Sequence, residues 1–277
     1  MNIKNRISVF LMGGLGNQLF QLARAYSLKE MGYDVCVVRL TRFKTIIYKL
    51  IGFTQHEDWL DIENITKTLN IPIKEVNFYQ IVFLALIFLI KKFKVNIFFD
   101  TVLNQNKTIQ FKFVDVGYFQ SEKHISKNSI DVIASSIINS LEIHHSDEIK
   151  SFIAHIRGGD FLYKHRTESQ VLPINRNEAY ELLKLASHIK TNIQIVTNDK
   201  DFVSEIFNFS KDIVIRESKS AKDDFLTLCR SNILFLSNST FSFWAGVISI
   251  KLNKAQVYTS QSYPFKNLLN TSVIKLG

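Results

Sequence analysis

The segment FIAHIRGGDFLY, at residues 152–163, places one arginine at the end of an apolar run typical of a buried strand. Arg157 is followed by two glycines and then by Asp160. A guanidinium beside glycines can donate two parallel hydrogen bonds to phosphate oxygens. An ion pair with Asp160 is the structural alternative, but a surface pair contributes only about 0–1 kcal/mol. The segment therefore favours an anion site at Arg157, while His155 taken alone is a core histidine.

A glycine-rich turn, GGLGNQ at residues 13–18, follows the first predicted strand. Its glycines let backbone N–H groups approach a ligand closely, and the helix predicted from about Asn17 presents its positive end to an anion. The turn lacks the third glycine of a dinucleotide fingerprint, and Arg39 and Leu40 stand where an acid would follow the second strand. The pattern argues against NAD, and an ordinary tight turn between strand and helix is the alternative.

Polar residues also follow later strands. The segment LSNSTFSFWAG, at 236–246, begins a helix with groups that either cap it or bind phosphate. Asp224 opens the preceding short helix, where a carboxylate either suits the helix dipole or accepts N1–H and N2–H of a guanine. Asp199 and Asp201 form a D-x-D pattern, which holds a divalent metal in many nucleotide-sugar enzymes. We favour a helix cap there instead, and no His/Cys cluster has metal-ligand spacing.

The elements that must position these residues alternate between strand and helix. From residue 152 onward, apolar runs of strand length alternate with amphipathic helices, one of them with Asn175 as its predicted N-cap. FKFVDVGYF, at 111–119, is predicted to be one further strand. The alternation predicts an α/β fold with parallel, doubly wound sheets, in which ligands bind beyond the carboxyl ends of the strands. We expect two Rossmann-like lobes, at 1–145 and 146–277.

Net charge and composition indicate which kinds of partner and which cellular setting to expect. The 277 residues carry a net charge of +9, which favours an anionic partner. No nucleic-acid-binding signature accompanies that charge, so we expect no nucleic acid. Two cysteines in apolar surroundings indicate a reducing, cytoplasmic setting. The apolar run before the first glycines is only about six residues, too short for a signal-peptide core, so it is predicted to be a strand.

The most hydrophobic segment is IVFLALIFLI, at 81–90, followed directly by KKFK. A membrane-spanning helix needs about 20 residues, so a buried helix is the first interpretation. The alternative is an in-plane membrane contact in which Lys91, Lys92 and Lys94 face anionic headgroups.

Four stretches taken together resemble one family: GGLGNQLFQLARAYSL, GYFQSEK, HIRGGDF and DDFLTLCRSNILFLSNSTFSFWAG. They resemble the bacterial galactoside α-1,2-fucosyltransferases of glycosyltransferase family 11, and they occur in the family's order from residue 11 to about 250. The resemblance implies a GT-B-like fold with two Rossmann-type lobes whose parallel sheets face a cleft. It implies an acceptor-side lobe at the N-terminus and a donor-binding lobe at the C-terminus.

The resemblance also implies a reaction, in which L-fucose moves from GDP-L-fucose to the 2-hydroxyl of a galactoside with inversion. No metal or other cofactor is obligatory in that reaction. The acceptor is expected to be a galactose-terminated glycan that is used in O-antigen or capsule synthesis. In one alternative, this glycan is linked to a lipid. The enzyme would then work in the cytoplasm, or peripherally at the inner face of the cell membrane.

The resemblance assigns roles to residues. Arg157 contacts the diphosphate, His155 lies near the nucleotide, Asp224 pairs with guanine and Asn17 faces the transfer site. Asp160 is a candidate for the base, or orients Arg157. The further donor-binding residues are Gly14, Leu15, Gly16, Asn198, Asn238, Ser239, Thr240 and Phe241.

One departure bears on the donor. The family usually has H-x-R-R-G-D, and this chain has Gly158 where the second arginine would stand. The missing cation bears on donor affinity and on donor identity. Two alternatives therefore stay open: a metal-dependent nucleotide-sugar transferase that uses Asp199 and Asp201, and a non-catalytic protein that binds GDP or a glycan.

Overall fold

A computed structural model describes residues 6–39, 59–76, 109–111, 114–144, 152–158, 173–260, 263–269 and 274–275. The chain divides into two compact units, Met1–Leu141 and Glu142–Gly277. Each unit carries one sheet. The apolar segment 81–94 and Asp160 lie outside the described residues.

The first unit is built around a five-stranded sheet in the order β3-β2-β1-β5-β4. Neighbouring strands are parallel, except that β4 runs antiparallel to β5. Its elements are β1 (Arg6–Phe10), α1 (Leu15–Glu30), β2 (Asp34–Arg39), α2 (Ile62–Thr68), β3 (Ile73–Glu75), β4 (Ile109–Phe111), β5 (Val114–Val116) and α3 (Lys127–Leu141).

The centre of this unit forms because β1, β2 and α1 are rich in apolar residues. Val9, Val37 and Leu19 are fully buried, as expected for parallel strands that are covered by helices. Helix α1 lies against β1, β2 and α3. The turn between β1 and α1 is therefore held at the carboxyl end of the sheet's central strand.

The second unit is built around a six-stranded, wholly parallel sheet in the order β11-β10-β9-β6-β7-β8. A short 3₁₀ helix, Lys266–Leu268, lies between β10 and β11. Its other elements are β6 (Phe152–Ile156), α4 (Arg176–His188), β7 (Ile193–Thr197), α5 (Lys200–Ile206), β8 (Ile213–Ile215), α6 (Ala221–Cys229), β9 (Ile233–Leu236), α7 (Thr240–Asn253), β10 (Gln256–Thr259) and β11 (Ile274–Lys275).

Helix α7 packs closely on this sheet. Its Trp244 is fully buried, and a Cβ on its Gly246 would lie 2.8 Å from Leu236 Cδ1 of β9. A glycine is needed there because the helix backbone approaches the strand so closely. The start of α7 is thereby held beside the carboxyl ends of β9 and β6.

Most of the predicted elements are confirmed, including the α/β class and the Asn175 cap, whose Oδ1 accepts from the Glu178 N–H over 2.9 Å. Within the strand predicted over FKFVDVGYF, Val114–Val116 is confirmed as β5, whereas Phe111 ends a separate strand, β4, that pairs antiparallel with β5. Helix α1 begins at Leu15 rather than near Asn17. In the part of the chain that the structure describes, no helix is long and apolar enough to cross a membrane.

Candidate active site

The carboxyl end of β6 lies between the ends of β7 and β9, because β6 pairs in parallel with both. Arg157 follows β6 directly, and its backbone N–H donates to the Oγ of Ser237 over 3.1 Å. The same Oγ lies 3.3 Å from Nδ1 of His155. Ser237, which follows β9, is fully buried. Its hydroxyl therefore joins the ends of two neighbouring strands and fixes the backbone that carries the Arg157 side chain.

His155 is a buried, neutral imidazole. Burial, followed by the positive charge of Arg157, lowers the pKa of His155 to about 3, so the ring is uncharged at neutral pH. The Ser237 hydroxyl accepts the Arg157 N–H, and it either donates to Nδ1 or accepts from it, according to the tautomer of the ring. The ring packs against Phe241, with centroids 5.7 Å apart. His155 thus links the end of β6 to the first turn of α7.

The start of α7 is a helix terminus without a side-chain cap. Ser239 occupies the N-cap position, but its side chain makes no capping hydrogen bond. The turn before it is closed internally, because the Ser239 N–H donates to the Ser237 carbonyl over 2.7 Å. Ser242 Oγ donates to that same carbonyl over 3.2 Å. No cap side chain therefore competes with an anion for the positive end of α7.

The contrast with the other described helices is informative. Among the α-helices that the structure describes, only α7 and α1, whose N-cap is Gly14, have an N-cap position without a side-chain hydrogen bond. These are the two helix starts that the sequence predicts to face a nucleotide sugar. The side chains that cap the remaining described helices are Asp61 for α2, Ser126 for α3, Asn175 for α4, Asp199 for α5 and Ser220 for α6.

Gly158 lies where a side chain has no room. A Cβ at this position would be 2.4 Å from Cβ of Asp199 and 2.9 Å from its Oδ2, well inside van der Waals contact. Asp199 is held there because its Oδ1 accepts from the Phe202 N–H over 3.0 Å as the cap of α5. Gly158 is held in turn by its N–H, which donates to Asn198 Oδ1 over 2.8 Å. The place of the family's second arginine is therefore closed by Asp199, not left open.

Buried polar atoms without partners lie around α6 and the start of α7. Asp224 Oδ2 accepts from Ser218 Oγ over 2.7 Å, whereas its Oδ1 is buried and has no hydrogen-bond partner among the described residues. The same holds for Arg216 Nε and Asn238 Oδ1. An unsatisfied buried polar atom costs about 1–3 kcal/mol. A donor and two acceptors in this condition indicate a place where a polar ligand binds.

Asp224 is also electrostatically perturbed. Burial is the main cause that raises the pKa of its carboxyl, and the nearby charge of Asp223 raises it further. The hydrogen bond from Ser218 and the charge of Arg216 act in the opposite direction. The ring of Phe225, next along α6, packs edge-on against Phe241 at 5.3 Å. Phe241 also packs on His155. The rings of Phe225, Phe241 and His155 therefore link α6, which carries Asp224, to the end of β6.

The first unit brings two of the sequence motifs together at its own strand end. Asn17, in the first turn of α1, accepts at Oδ1 from Nε2 of Gln120 over 2.9 Å. Gln120 belongs to the GYFQSEK motif, which follows β5. Gly13 has a φ of +77°, and a Cβ there would be 2.9 Å from Asn17 Nδ2. A glycine is therefore required both by conformation and by space.

Within the second unit, the predicted residues His155, Arg157 and Asn198 gather with the segment 238–241 at one edge of the sheet. Gly14, Leu15, Gly16 and Asn17 share one turn of the first unit. The cap predicted for Asp199 is confirmed. Across the described ranges, no group of three His, Cys, Asp or Glu side chains could hold a metal ion.

Two residues of these sites were missed in the sequence. Arg216 directly follows β8, as Arg157 follows β6, so its place at a strand end was a usable signal. Gln120 had no such signal, because its partner Asn17 is 103 positions away in the chain. Only the fold brings those two amides together.

The family follows from comparison with known proteins. The model of glycosyl transferase family 11 matches residues 6–265. The chain therefore belongs to that family and is a glycosyltransferase. Among curated proteins, it is 26% identical over 255 residues to an α-1,2-colitosyltransferase of Escherichia coli, with 84% of each chain covered.

Solved structures of similar shape include two glycosyltransferases. The fucosyltransferase NodZ from Bradyrhizobium is similar at a TM-score of 0.46 and 12% identity, over 88% of this chain and 92% of that one. The E. coli heptosyltransferase WaaC with ADP is similar at a TM-score of 0.44 and 8% identity, over 98% and 92%. The family assignment rests on the sequence matches.

The contact between Gly158 and Asp199 gives a first prediction. Gly158→Ala should lower the free energy of unfolding by about 1–3 kcal/mol, because its Cβ overpacks the site. Asp199→Gly alone should cost only a few tenths of a kcal/mol, since glycine is a tolerated N-cap. The double variant should be more stable than Gly158→Ala alone. Urea denaturation of the four proteins measures this cycle. Strictly additive effects would contradict the direct contact.

Proposed function

We propose that the protein is an inverting glycosyltransferase that moves L-fucose from GDP-L-fucose to the 2-hydroxyl of a galactoside. The observation that carries the proposal is the Arg157–Ser237–His155 network beside the uncapped start of α7. It holds the backbone of a cationic residue near a helix terminus of positive potential, and a guanidinium and a helix terminus together suit a diphosphate. Family membership supplies the reaction class.

The donor's phosphates would bind in the second unit. The guanidinium of Arg157 forks onto diphosphate oxygens, and the first turn of α7, at Thr240 and Phe241, donates backbone hydrogen bonds to them. The neutral imidazole of His155 adds no charge to this site. Gly158 and Asn198 keep the end of β6 in place.

The buried polar atoms of Arg216, Asp224 and Asn238 that have no hydrogen-bond partner among the described residues suit the guanine base. Guanine presents an acceptor, O6, beside two donors, N1–H and N2–H. Arg216 Nε can donate to O6, and Asp224 Oδ1 can accept from N1–H or N2–H, with Asn238 Oδ1 as a second acceptor. Adenine presents a donor and an acceptor in the reverse order, so the same pair of residues would reject ADP.

The chemistry is a single displacement at the anomeric carbon. The acceptor oxygen forms a bond to C1 as the bond from C1 to the phosphate oxygen breaks, and GDP leaves with the electron pair. Arg157 and the start of α7 stabilise the charge that develops on the leaving diphosphate. The proton of the acceptor hydroxyl goes to a carboxylate, for which we propose Asp160. No metal ion is required, because protein donors neutralise the diphosphate.

The first unit would bind the acceptor, a galactose-terminated glycan in surface polysaccharide synthesis. The turn at Gly14–Asn17, whose residues we predict to bind the donor, would add a close backbone approach and the side-chain amide of Asn17 at the transfer site. The enzyme would act in the cytoplasm or at the inner face of the membrane, where a lipid-linked acceptor would be accessible.

The similarity to a relative named an α-1,2-colitosyltransferase favours GDP-colitose as a second candidate donor. Colitose is L-fucose without its 3-hydroxyl, so one site could accommodate either sugar. The Gly158–Asp199 pair, which differs from the family's double arginine, is a place where this choice could be made.

The proposal is tested by incubating the purified protein with GDP-fucose or GDP-colitose and a panel of galactosides, with product linkage read by mass spectrometry and NMR. We expect α-1,2-linked product that persists in EDTA. Loss of transfer in EDTA would favour the metal-dependent alternative. Binding of GDP without turnover of any donor would favour a non-catalytic binding protein.

Replacement of Arg157, which we propose binds the diphosphate, should affect recognition of the phosphates but not recognition of the base. Arg157→Ala is expected to reduce transfer by about 10²-fold or more, because one preorganised donor is lost from the leaving group. It should weaken GDP binding but leave guanosine binding unchanged. Arg230, which is exposed at the end of α6, gives the matched control Arg230→Ala. Equal loss of GDP and guanosine affinity in Arg157→Ala would contradict a phosphate role.

The raised pKa of Asp224 predicts how GDP binding depends on pH. The carboxylate accepts from guanine only when ionised, so affinity should fall as the pH drops through this raised pKa, at a higher pH than for an ordinary aspartate. Asp224→Asn should lower GDP affinity about 10- to 100-fold, in line with hydrogen bonds to a charged group. It should also remove this pH dependence.

Calorimetry from pH 4 to pH 8 on both proteins provides the test of Asp224. The ratio of their dissociation constants cancels the ionisation of the GDP phosphates. A ratio that stays constant with pH would exclude Asp224 from base recognition.

A further inference from the structure

The amide of Asn17 has its orientation set by a second amide. Nε2 of Gln120 is a donor and lies 2.9 Å from Oδ1 of Asn17. The carbonyl end of Asn17 is therefore directed at Gln120, and its Nδ2 lies over Gly13. Gln120 is 7% exposed, so water contributes little to this arrangement. An amide that is oriented in this way offers a hydrogen-bond donor, not an acceptor, on the side away from Gln120.

The segment that carries Gln120 is held by polar residues of α1. Gln21 accepts the Met12 N–H over 2.7 Å and donates to the Gly117 carbonyl over 3.0 Å. Arg24 Nη1 donates to the carbonyl of His124 over 2.9 Å. These two buried side chains project from one face of α1, at i and i+3. Their hydrogen bonds hold the segment 117–124 at one position before Gln120 and at one after it.

The same segment is fixed by its apolar contacts. Phe119 is buried, and the Arg24 guanidinium carbon lies 5.6 Å from the centroid of its ring. One turn further along α1, Ser27 Oγ accepts the Ser126 N–H over 3.0 Å. The position of Gln120 is therefore determined by packing and by hydrogen bonds that do not involve Asn17.

We infer that Gln120 is a positioning residue for sugar transfer, which sets the amide of Asn17 so that its Nδ2 donates to an oxygen of the bound sugar substrates. This inference rests on the proposed function, which brings Asn17 to the transfer site. Gln120 acts through Asn17 and does not itself touch the substrate. Its role is to choose which end of the Asn17 amide faces the reacting sugars.

The test is an isosteric reversal of polarity, Gln120→Glu. The introduced carboxylate only accepts when ionised, so Asn17 must turn its Nδ2 towards it and present Oδ1 to the substrate. We expect kcat at pH 8 to fall about 10²-fold, as for the loss of one preorganised donor, with GDP binding unchanged. When the carboxyl is protonated it can donate again, so activity relative to wild type should recover as the pH falls through its pKa. That pKa is about 4.3 for an ordinary glutamate, and burial raises it.

Gln120→Met is the matched control, since it keeps the length of the side chain but has no titratable group. We expect it to lose activity without recovery at low pH. Among the described residues, the other charged or titratable groups around this segment are Arg24 and Glu30 of α1 and Tyr118, Glu122, Lys123 and His124 of the segment itself. They are common to all three proteins, so the ratio to wild type cancels them. Identical pH profiles for the glutamate and methionine variants would overturn the inference.

A measurement without substrate separates this inference from the proposed function. In protein labelled with ¹⁵N at asparagine, the side-chain amide signals of Asn17 should shift with pH in Gln120→Glu, on the same curve as the recovery of activity. Wild type and Gln120→Met should show no such transition. If wild type transfers no sugar but the signals switch, the proposed function fails and the positioning pair stands. If the signals do not switch, the inference fails whatever the activity.

Discussion

The hydroxyl of Ser237 is the contact on which the proposed donor site depends. It is fully buried and accepts the backbone N–H of Arg157, so the end of β6 cannot move independently of the end of β9. Truncation of this hydroxyl would remove the hydrogen bond that ties the Arg157 backbone to β9, which contributes about 0.5–1.5 kcal/mol. The same oxygen lies 3.3 Å from His155 Nδ1 and so ties the buried imidazole to the end of β9. The backbone at Arg157, the neutral imidazole of His155 and the end of β9 are thus held in one arrangement.

Close packing explains why this edge of the sheet has its particular residues. Helix α7 reaches the strand ends because Gly246 lets it lie against Leu236 of β9. On the other side of β6, Gly158 allows Asp199 to cap α5 at a distance that no side chain at 158 would permit. Position 158, where the resemblance leads us to expect a second arginine, must therefore be glycine for Asp199 to occupy its observed position. Asp199 caps α5 at this position, and in the function we propose the diphosphate is bound by Arg157 and the start of α7.

Much of this could be predicted from the sequence, because the signals are local. A strand that ends in Arg157 beside glycines, and hydroxyls at the start of α7, are patterns of neighbouring residues. The D-x-D pattern was correctly interpreted as a cap for the same reason. The division of FKFVDVGYF into β4 and β5 was missed, because pairing partners decide where a strand ends. The contact between Gly158 and Asp199 and that between Asn17 and Gln120 join residues far apart in the chain, and no local pattern records them.

The central claim is that the diphosphate of a GDP-sugar binds at the carboxyl edge of the second sheet. The most direct measurement is a crystal structure of the protein with GDP bound. Our account predicts diphosphate oxygens within about 3 Å of the Arg157 guanidinium and of the first backbone N–H groups of α7, as in charge-assisted hydrogen bonds. It also predicts the guanine edge against Arg216 and Asp224. GDP bound elsewhere on the protein, with Arg157 not in contact with phosphate, would contradict it.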